Sequence, residues 1–339
     1  MSKPFRVVQV GLGSIGLPIA KAILNRGNLS LVGTMDANPE LIGKKLSQIL
    51  REDSNTRLTI SGVLEEVIGA SADVAIIATS SSLKTVKQTI MKALDAGLHV
   101  VSICEELSYP YKRHARIAKE IDHAARDVGR SVLGTGINPG YLMDILPILL
   151  TAPCLTLEAL YVTRCVNSSR RRMSFQKKIG TGMKKKDFSN AISSGVITGH
   201  VGLEESICMI DDTLKLGLDN VEELPPKPVI ADSEVVTPLA TISPGDVLGL
   251  RSRAVGKRED TTVVTLDFIA YADADPEYDE VVVEGFPRIQ QRIEGGVMGD
   301  HGTIAMAINA IPLVVHAHPG LLTMKDLPSP RNTQFYFRG

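Results

Sequence analysis

The feature that most constrains this chain is Gly11-Leu12-Gly13-Ser14-Ile15-Gly16, set between an apolar run at residues 6–10 and a helically periodic segment at 15–25. A G-x-G-x-x-G that leaves a strand and opens a helix is the phosphate-binding turn of a dinucleotide-binding unit. Gly11 permits the tight turn, Gly13 lets the backbone approach a pyrophosphate, and Gly16 lets the helix pack closely on the strand. The helix opening, with Ser14 and Ile15, offers free N–H groups and the positive end of a helix dipole to the anion. Asp36 ends the next predicted strand, 29–35, where a carboxylate accepts hydrogen bonds from the adenosine ribose and repels a 2'-phosphate. NAD is therefore the expected cofactor, while Lys44 and Lys45 keep NADP open.

Predicted strands at 74–78, 99–102 and 131–133 alternate with predicted helices at 83–96 and 111–127. Strands that are apolar throughout, separated by helices, indicate a parallel sheet covered on both faces, so the first half reads as a Rossmann-type doubly wound α/β domain. Beyond a helix at 142–150 the pattern changes. Residues 156–167, 262–270 and 280–283 are rich in β-branched side chains at alternating spacing and read as antiparallel strands. Between them lie a basic stretch, a helix at 203–216 and a proline-rich connection at 224–228. An apolar helix at 303–315 is expected to return to the first domain. The expected organisation is a nucleotide-binding domain, 1–150 plus 300–339, carrying an inserted α+β domain, 151–299, with a mainly antiparallel sheet.

Composition removes several classes of function. Lys+Arg number 37 against 38 Asp+Glu, and there is no Trp, so neither a strong field nor an aromatic platform for nucleic acid is present. Arg170-Arg171-Arg172, Lys177-Lys178 and Lys184-Lys185-Lys186 form a local basic region without a nucleic-acid-binding motif. The four cysteines are scattered and no Cys/His cluster has metal-ligand spacing, so no metal is expected. The apolar stretch at 304–315 is shorter than the roughly 20 residues of a membrane span. A cytoplasmic protein that meets no membrane is expected.

Three segments end predicted strands of the parallel sheet, where ligands bind in open α/β folds. Thr79 and Ser80, with Ser81 and Ser82, line a cofactor or cap the next helix. Glu105-Glu106 is a carboxylate pair suited to acid/base work beside a nicotinamide, or to the N-terminal end of the following helix. Gly134-Thr135-Gly136-Ile137-Asn138-Pro139-Gly140 is a sharp turn passing close to a helix or to the nicotinamide.

Together with Glu105-Glu106-Leu107-Ser108-Tyr109-Pro110 and the glycine turn, these residues resemble the 2,4-diaminopentanoate dehydrogenase and native amine dehydrogenase family, relatives of dihydrodipicolinate reductase in fold. Arg171-Arg172 with Gln176 to Gly180, Gly199-His200-Val201-Gly202-Leu203, and Gly299-Asp300 with Thr303 and Asn309 extend the resemblance over nearly the whole chain. It implies oxidative deamination of an amine, or reductive amination of a ketone with ammonia, using a nicotinamide cofactor. It further implies that Glu105 or Glu106 is the acid/base group, with Glu105 the first choice. Asn138 would lie at the nicotinamide or substrate, and Arg172, His200 and Thr303 would shape the substrate pocket. One departure is Asn167, which stands where an acidic residue is expected before the arginine pair and takes away a charge that would hold a substrate ammonium. A homodimer is expected, because an exposed antiparallel sheet often becomes an interface. Competing readings are a reductase of C=N or C=O substrates and a non-catalytic sensor of NAD(H). The first would be like dihydrodipicolinate reductase, whose paired-histidine and lysine signature followed by D-A-P-S-G-T is missing, or like homoserine dehydrogenase; against the second, no partner module accompanies the nucleotide domain.

Overall fold

The structure, a computed structural model, describes residues 3–50, 56–68 and 72–338. The chain divides into two compact units, Met1–Tyr141 with Gly299–Gly339, and Leu142–Met298. The first begins with β1 (Phe5–Val10), α1 (Gly16–Leu24), β2 (Leu29–Met35), α2 (Leu46–Leu50), β3 (Ile60–Ser61) and α3 (Leu64–Ile68). It continues with β4 (Val74–Ile77), α4 (Leu83–Asp95), β5 (His99–Ser102), α5 (Ala115–Asp127) and β6 (Ser131–Gly134). The second unit holds α6 (Ile145–Leu150), β7 (Thr156–Asn167), α7 (Met173–Lys178), α8 (Lys185–Ser193) and α9 (Leu203–Leu214). Its remaining strands are β8 (Asn220–Ile230), β9 (Val235–Val236), β10 (Thr241–Ile242), β11 (Val247–Arg258), β12 (Thr261–Tyr271), β13 (Tyr278–Phe286) and β14 (Ile289–Glu294). The chain then re-enters the first unit as α10 (Gly299–Val315) and β15 (Gly320–Leu322).

Among the described residues the first unit is one parallel sheet of order β15-β6-β5-β4-β1-β2-β3. Every residue of β4 and β6 is buried, because α3, α4 and α5 cover one face and α1 and α10 the other. That is why these strands read as unbroken apolar runs. Each fully buried aliphatic side chain, such as Ile76 or Ile90, contributes roughly 1.5–3 kcal/mol. The order reverses on either side of β1 and β4, leaving a crevice at the carboxyl ends of the strands, where the glycine turn sits. The predicted helix at 111–127 is helical only from Ala115, with turns before it.

In the second unit the sheet order is β14-β13-β7-β12-β11-β8, antiparallel except for the β7–β12 pair. The unit begins before α6 rather than after it, since buried Asp144 caps that helix and accepts from Ser206 Oγ of α9 at 2.9 Å. Residues 224–228, expected as a connection, lie within β8. Their prolines cannot donate to a ladder, and β8 is an edge strand bonded on one side to β11, where missing donors do least harm. The register shifts at Arg251/Arg253, opposite Pro225 and Pro226. Exposure alternates along β13 and the later part of β11, while β12 is buried at Leu266, Asp267 and Phe268 in succession. Ser252, Ala254, Leu266, Phe268, Asp279 and Val281 are buried, while most of the residues between them are half-exposed. The buried face carries α6 and α9. No helix among the described residues is long and apolar enough to cross a membrane.

Candidate active site

The glycine turn is built by close backbone contact. Gly11 has φ +86, and a Cβ on it would meet the Ala78 carbonyl oxygen at 2.5 Å; one on Gly16 would meet the Gly11 carbonyl oxygen at 2.0 Å. Gly13 faces open space, so a ligand can approach its backbone. No side chain caps α1 at Ile15, and the N–H groups of Ser14 and Ile15 have no acceptor among the described residues. Such donors at a helix N-terminus are a ready anion site. Buried Gln9 donates its Nε2 to the Gly11 carbonyl at 2.9 Å and so fixes the turn from below.

Asp36 holds the rim of this cradle. Its Oδ2 accepts from Leu12 N–H at 2.6 Å and its Oδ1 from Asn38 N–H at 2.8 Å. Both oxygens are thus aimed by the backbone, with lone pairs left over for hydroxyl donors. After β4, Thr79 is exposed beside Gly11, and Ser80 Oγ accepts from Ser82 N–H at 3.1 Å.

The two glutamates have different environments. Glu106 Oε2 accepts from Leu83 N–H at 2.7 Å and lies 3.0 Å from His114 Nε2. It therefore caps α4, whose own N-cap, Ser82, makes no side-chain bond. The link is repeated at Ser81 O, which accepts from Glu106 N–H at 3.4 Å and from the Cys104 thiol at 3.1 Å. Glu105 is half-buried on the same 3-10 turn, and its carboxylate makes no hydrogen bond or ion pair with any described residue. Cys104 beside it is buried, and burial with the neighbouring Glu105 charge pushes its thiol up to about 12. A thiol held protonated is no nucleophile.

The turn after β6 lies against Leu107. A Cβ on Gly134 would meet the Leu107 carbonyl carbon at 2.5 Å, so the β6 end and the glutamate turn touch backbone to backbone. Asn138 follows with its Oδ1 buried and without a hydrogen-bond partner. Thr303, on the second turn of α10, accepts from Ile137 N–H at 3.3 Å, which places its hydroxyl behind this turn. Glu105, Asn138, Thr79, Ser80 and the glycine turn all belong to the carboxyl ends of β1, β4, β5 and β6.

In the second unit Arg172 is exposed at the start of α7. His200 stacks on Phe268 of β12, centroid to centroid 4.3 Å, and its backbone N–H donates to Ser252 Oγ at 3.0 Å. The residue keeps some exposure, but its Nε2 is shut off from solvent and unbonded. Burial and the charges of Lys178 and Arg164 lower its imidazole to about 3, so the ring is neutral at pH 7. Asn167, at the acid-to-amide departure, is a capping residue: Oδ1 accepts from Ser169 N–H at 2.9 Å and Nδ2 donates to Ala274 O at 3.2 Å.

Sequence reasoning missed Gln9 and Glu106's capping role. A single amide inside the apolar strand FRVVQV was the available signal for the first; no local pattern marks the second, whose partner is 23 positions away. A recess of about 180 Å³ on the first unit is lined by Tyr141, Met306, Leu313, Met324 and Arg331, and includes neither Glu105 nor Asn138.

Comparison with known proteins gives concordant matches. Residues 141–338 match the family described as 2,4-diaminopentanoate dehydrogenase C-terminal domain. A 2,4-diaminopentanoate dehydrogenase from Acetoanaerobium sticklandii is 32% identical over 98% of this chain and 96% of its own. An amine dehydrogenase from Streptomyces virginiae is 21% identical over 94% of each. Among solved structures, an amine dehydrogenase from Mycobacterium smegmatis has a TM-score of 0.85 at 20% identity, covering 98% of both chains. A dihydrodipicolinate reductase from a Paenisporosarcina species has a TM-score of 0.52 at 11% identity, covering 95% of this chain and 98% of the other. These two structural likenesses establish the fold.

Proposed function

This chain belongs to the 2,4-diaminopentanoate dehydrogenase family, and from that premise we propose that it is an NAD(P)-dependent oxidoreductase acting on a CH–NH2 group. It deaminates an amine or diamino acid oxidatively, or aminates a ketone with ammonia in reverse. The observation that carries the acid/base assignment is the contrast between Glu106, bonded to Leu83 N–H, and Glu105, uncommitted at the end of the neighbouring strand.

The residues suit a dinucleotide. The turn Gly11 to Gly16 would take the pyrophosphate and Asp36 the adenosine ribose, and Thr79, beside Gly11, and Ser80 would line the cofactor. Asn138, whose buried Oδ1 lacks a partner, accepts a hydrogen bond from a carboxamide or a substrate ammonium. NAD is preferred over NADP because a 2'-phosphate would meet the Asp36 carboxylate, already aimed by two backbone donors. A bound nicotinamide supplies the acceptor for the hydrogen and electron pair that leave the amine carbon.

Glu105 takes a proton from the substrate ammonium, freeing the nitrogen lone pair that expels the hydride. Once it has released that proton to solvent, the carboxylate accepts a proton from water as that water adds to the iminium carbon, passes it to the amino nitrogen so that ammonia can leave, and takes up the hydroxyl proton as the carbonyl forms. Arg172, with its planar fork of donors, is the candidate for a substrate carboxylate. Neutral His200 and Thr303 serve as shape and hydrogen-bonding groups rather than charges. The protein acts on a small amine or ketone as a cytoplasmic homodimer, with no nucleic-acid or membrane partner.

The test is absorbance at the NADH band with a panel of ketones, keto acids and aldehydes, with and without ammonium. Ammonium-dependent NADH consumption is expected. Consumption that ignores ammonium would replace the proposal with a C=O or C=N reductase, and NADH binding without turnover would replace it with a sensor.

A further inference from the structure

We propose that Gln9 is a positioning residue for the dinucleotide: with Asp36 it fixes the Gly11–Leu12 peptide, so that the carbonyl of that peptide is kept away from the pyrophosphate. The proposal rests on the dinucleotide reading above and adds to it a residue buried beneath the turn. One peptide unit carries both the Gly11 carbonyl and the Leu12 N–H, and a side chain holds each end. Gln9 Nε2 donates to Gly11 O at 2.9 Å, and Leu12 N–H donates to Asp36 Oδ2 at 2.6 Å. Among the described residues Gly11 O accepts from no backbone N–H, so the amide of Gln9 is its donor. Asp36 is shared between the turn and the ribose, whereas Gln9 serves the turn alone.

The need for such a hold comes from the glycine. Gly11 has φ +86, and a residue without a Cβ lets the following peptide rotate at little steric cost. A half-turn of that peptide would exchange its ends and bring the carbonyl oxygen toward the Asp36 rim of the cradle. A carbonyl oxygen there repels an anion, whereas an anion site of this kind is made of N–H donors. As folded, the oxygen lies inward: a Cβ on Gly16 would meet it at 2.0 Å, and the same Cβ would stand 3.2 Å from Gln9 Nε2. The third glycine of the motif thus leaves room both for the Gly11 carbonyl and for the amide that binds it.

The strand itself has no use for an amide. Gln9 is fully buried on β1, in register with Thr34 of β2 and Ile76 of β4, and the other buried residues of β1 are Phe5, Val7, Val8 and Val10. Its Oε1 has no hydrogen-bond partner, and a buried acceptor without a donor is unfavourable. An aliphatic side chain would suit the core better, so the reason for glutamine is what its Nε2 holds.

Isothermal titration calorimetry of the full-length protein with NADH and with ADP-ribose tests this on Gln9→Met, which keeps the length of the side chain and removes the donor. Loss of the hold leaves only a fraction of molecules with the turn in its binding form, and the apparent affinity falls by that fraction. The Kd for both ligands is expected to rise by the same factor, at least about threefold, because both carry the pyrophosphate. Since the loss is one of binding, kcat at saturating cofactor is expected to stay within about twofold of wild type. A smaller rise in Kd, a rise for NADH alone, or a fall in kcat with Kd unchanged overturns the assignment. Should Gln9→Met fail to fold, amide hydrogen exchange at Leu12 in the ligand-free wild type decides. Protection of at least about tenfold over the unfolded rate is expected, and less than that overturns the proposal. A wild type that binds neither NADH nor NADPH overturns the dinucleotide reading itself.

Discussion

Glu106 and Glu105 are adjacent residues of one type, and their substitution by glutamine separates two roles. Glu106 Oε2 is the acceptor for Leu83 N–H at 2.7 Å, at a helix start where Ser82 contributes no side-chain bond. Removing it in Glu106→Ala leaves an N–H orphaned and takes a carboxylate from the positive end of α4. A hydrogen bond to a charged group contributes about 1.5–3 kcal/mol and the dipole term about 0.3–1 kcal/mol, partly overlapping, so a loss of about 2 kcal/mol is expected. For a unit of this size that lowers the melting midpoint by roughly 4–8 °C. Glu106→Gln keeps a carbonyl acceptor in place and is expected to recover about half of that loss, with turnover within about tenfold of wild type, because a neutral cap still functions. Glu105→Gln is expected to do the opposite: a change of under about 0.5 kcal/mol in stability, and a fall of about 10²- to 10⁴-fold in kcat. Differential scanning calorimetry and NADH absorbance on the same preparations give both numbers. If Glu106→Gln melts like wild type but loses turnover as Glu105→Gln was expected to, the capping argument is wrong and the acid/base is Glu106.

Replacing Asp36 by alanine removes the acceptor of two backbone N–H groups and the charge facing a 2'-phosphate; the ratio of kcat/KM for NAD to that for NADP is expected to fall at least about tenfold, and an unchanged ratio would place cofactor choice elsewhere. Asn138→Ala removes a buried oxygen that has no partner, so thermal stability without ligand is expected to hold or rise while kcat falls; parallel loss of both would mean the amide is structural. His200, lowered to about 3, and His99, lowered to about 4 by burial and the nearby Arg130 charge, are neutral in the folded protein. Unfolded histidine titrates near 6.5, so between about 6.5 and the folded values the unfolded state binds more protons. Stability from these two groups is full above that window and is lost as pH falls through it. His200→Asn is expected to flatten the acid side of a urea-denaturation pH profile between pH 6.5 and 4, and a profile that overlays wild type would show that the imidazole is hydrated.

How far the sequence carries depends on whether a feature is local. Gly11 to Gly16 was readable because the turn, its strand and its helix are contiguous, and the backbone clash at Gly16 comes from Gly11 in the same motif. The strand β4, VAII, was likewise legible from its unbroken apolar run. The prolines of β8 misled, since whether proline is tolerated depends on a strand being at an edge, and that is decided by β11 and not by β8. The parallel pairing of β7 with β12 is invisible locally for the same reason: alternation reports a buried face and says nothing about the direction of the neighbour. Glu106 was read as half of a catalytic pair because residue type and position were right; its commitment is set by Leu83 across the sheet edge. Asn167, read as a missing charge, turned out to be occupied with Ser169 and Ala274.

The unpartnered polar atoms carry unequal weight, and the inequality bears on the site. A buried acceptor without a donor costs about 1–3 kcal/mol. Gln9 Oε1 is one, yet the same amide fixes the Gly11 carbonyl through Nε2, so the residue has a structural reason to be there. Thr34 Oγ1 is another, inside β2, where a β-branched side chain packs well whatever its hydroxyl does. Asn138 Oδ1 has neither excuse. Its amide is not in a strand, and an alanine would spare the fold the cost. The simplest physical account is that the missing donor arrives with a ligand, which turns an unfavourable atom of the free protein into a specific contact of the bound one. The same logic separates Glu105 from Glu106, for a carboxylate already saturated by a helix N-terminus has little to give to a substrate proton, and the one beside it has everything left to give.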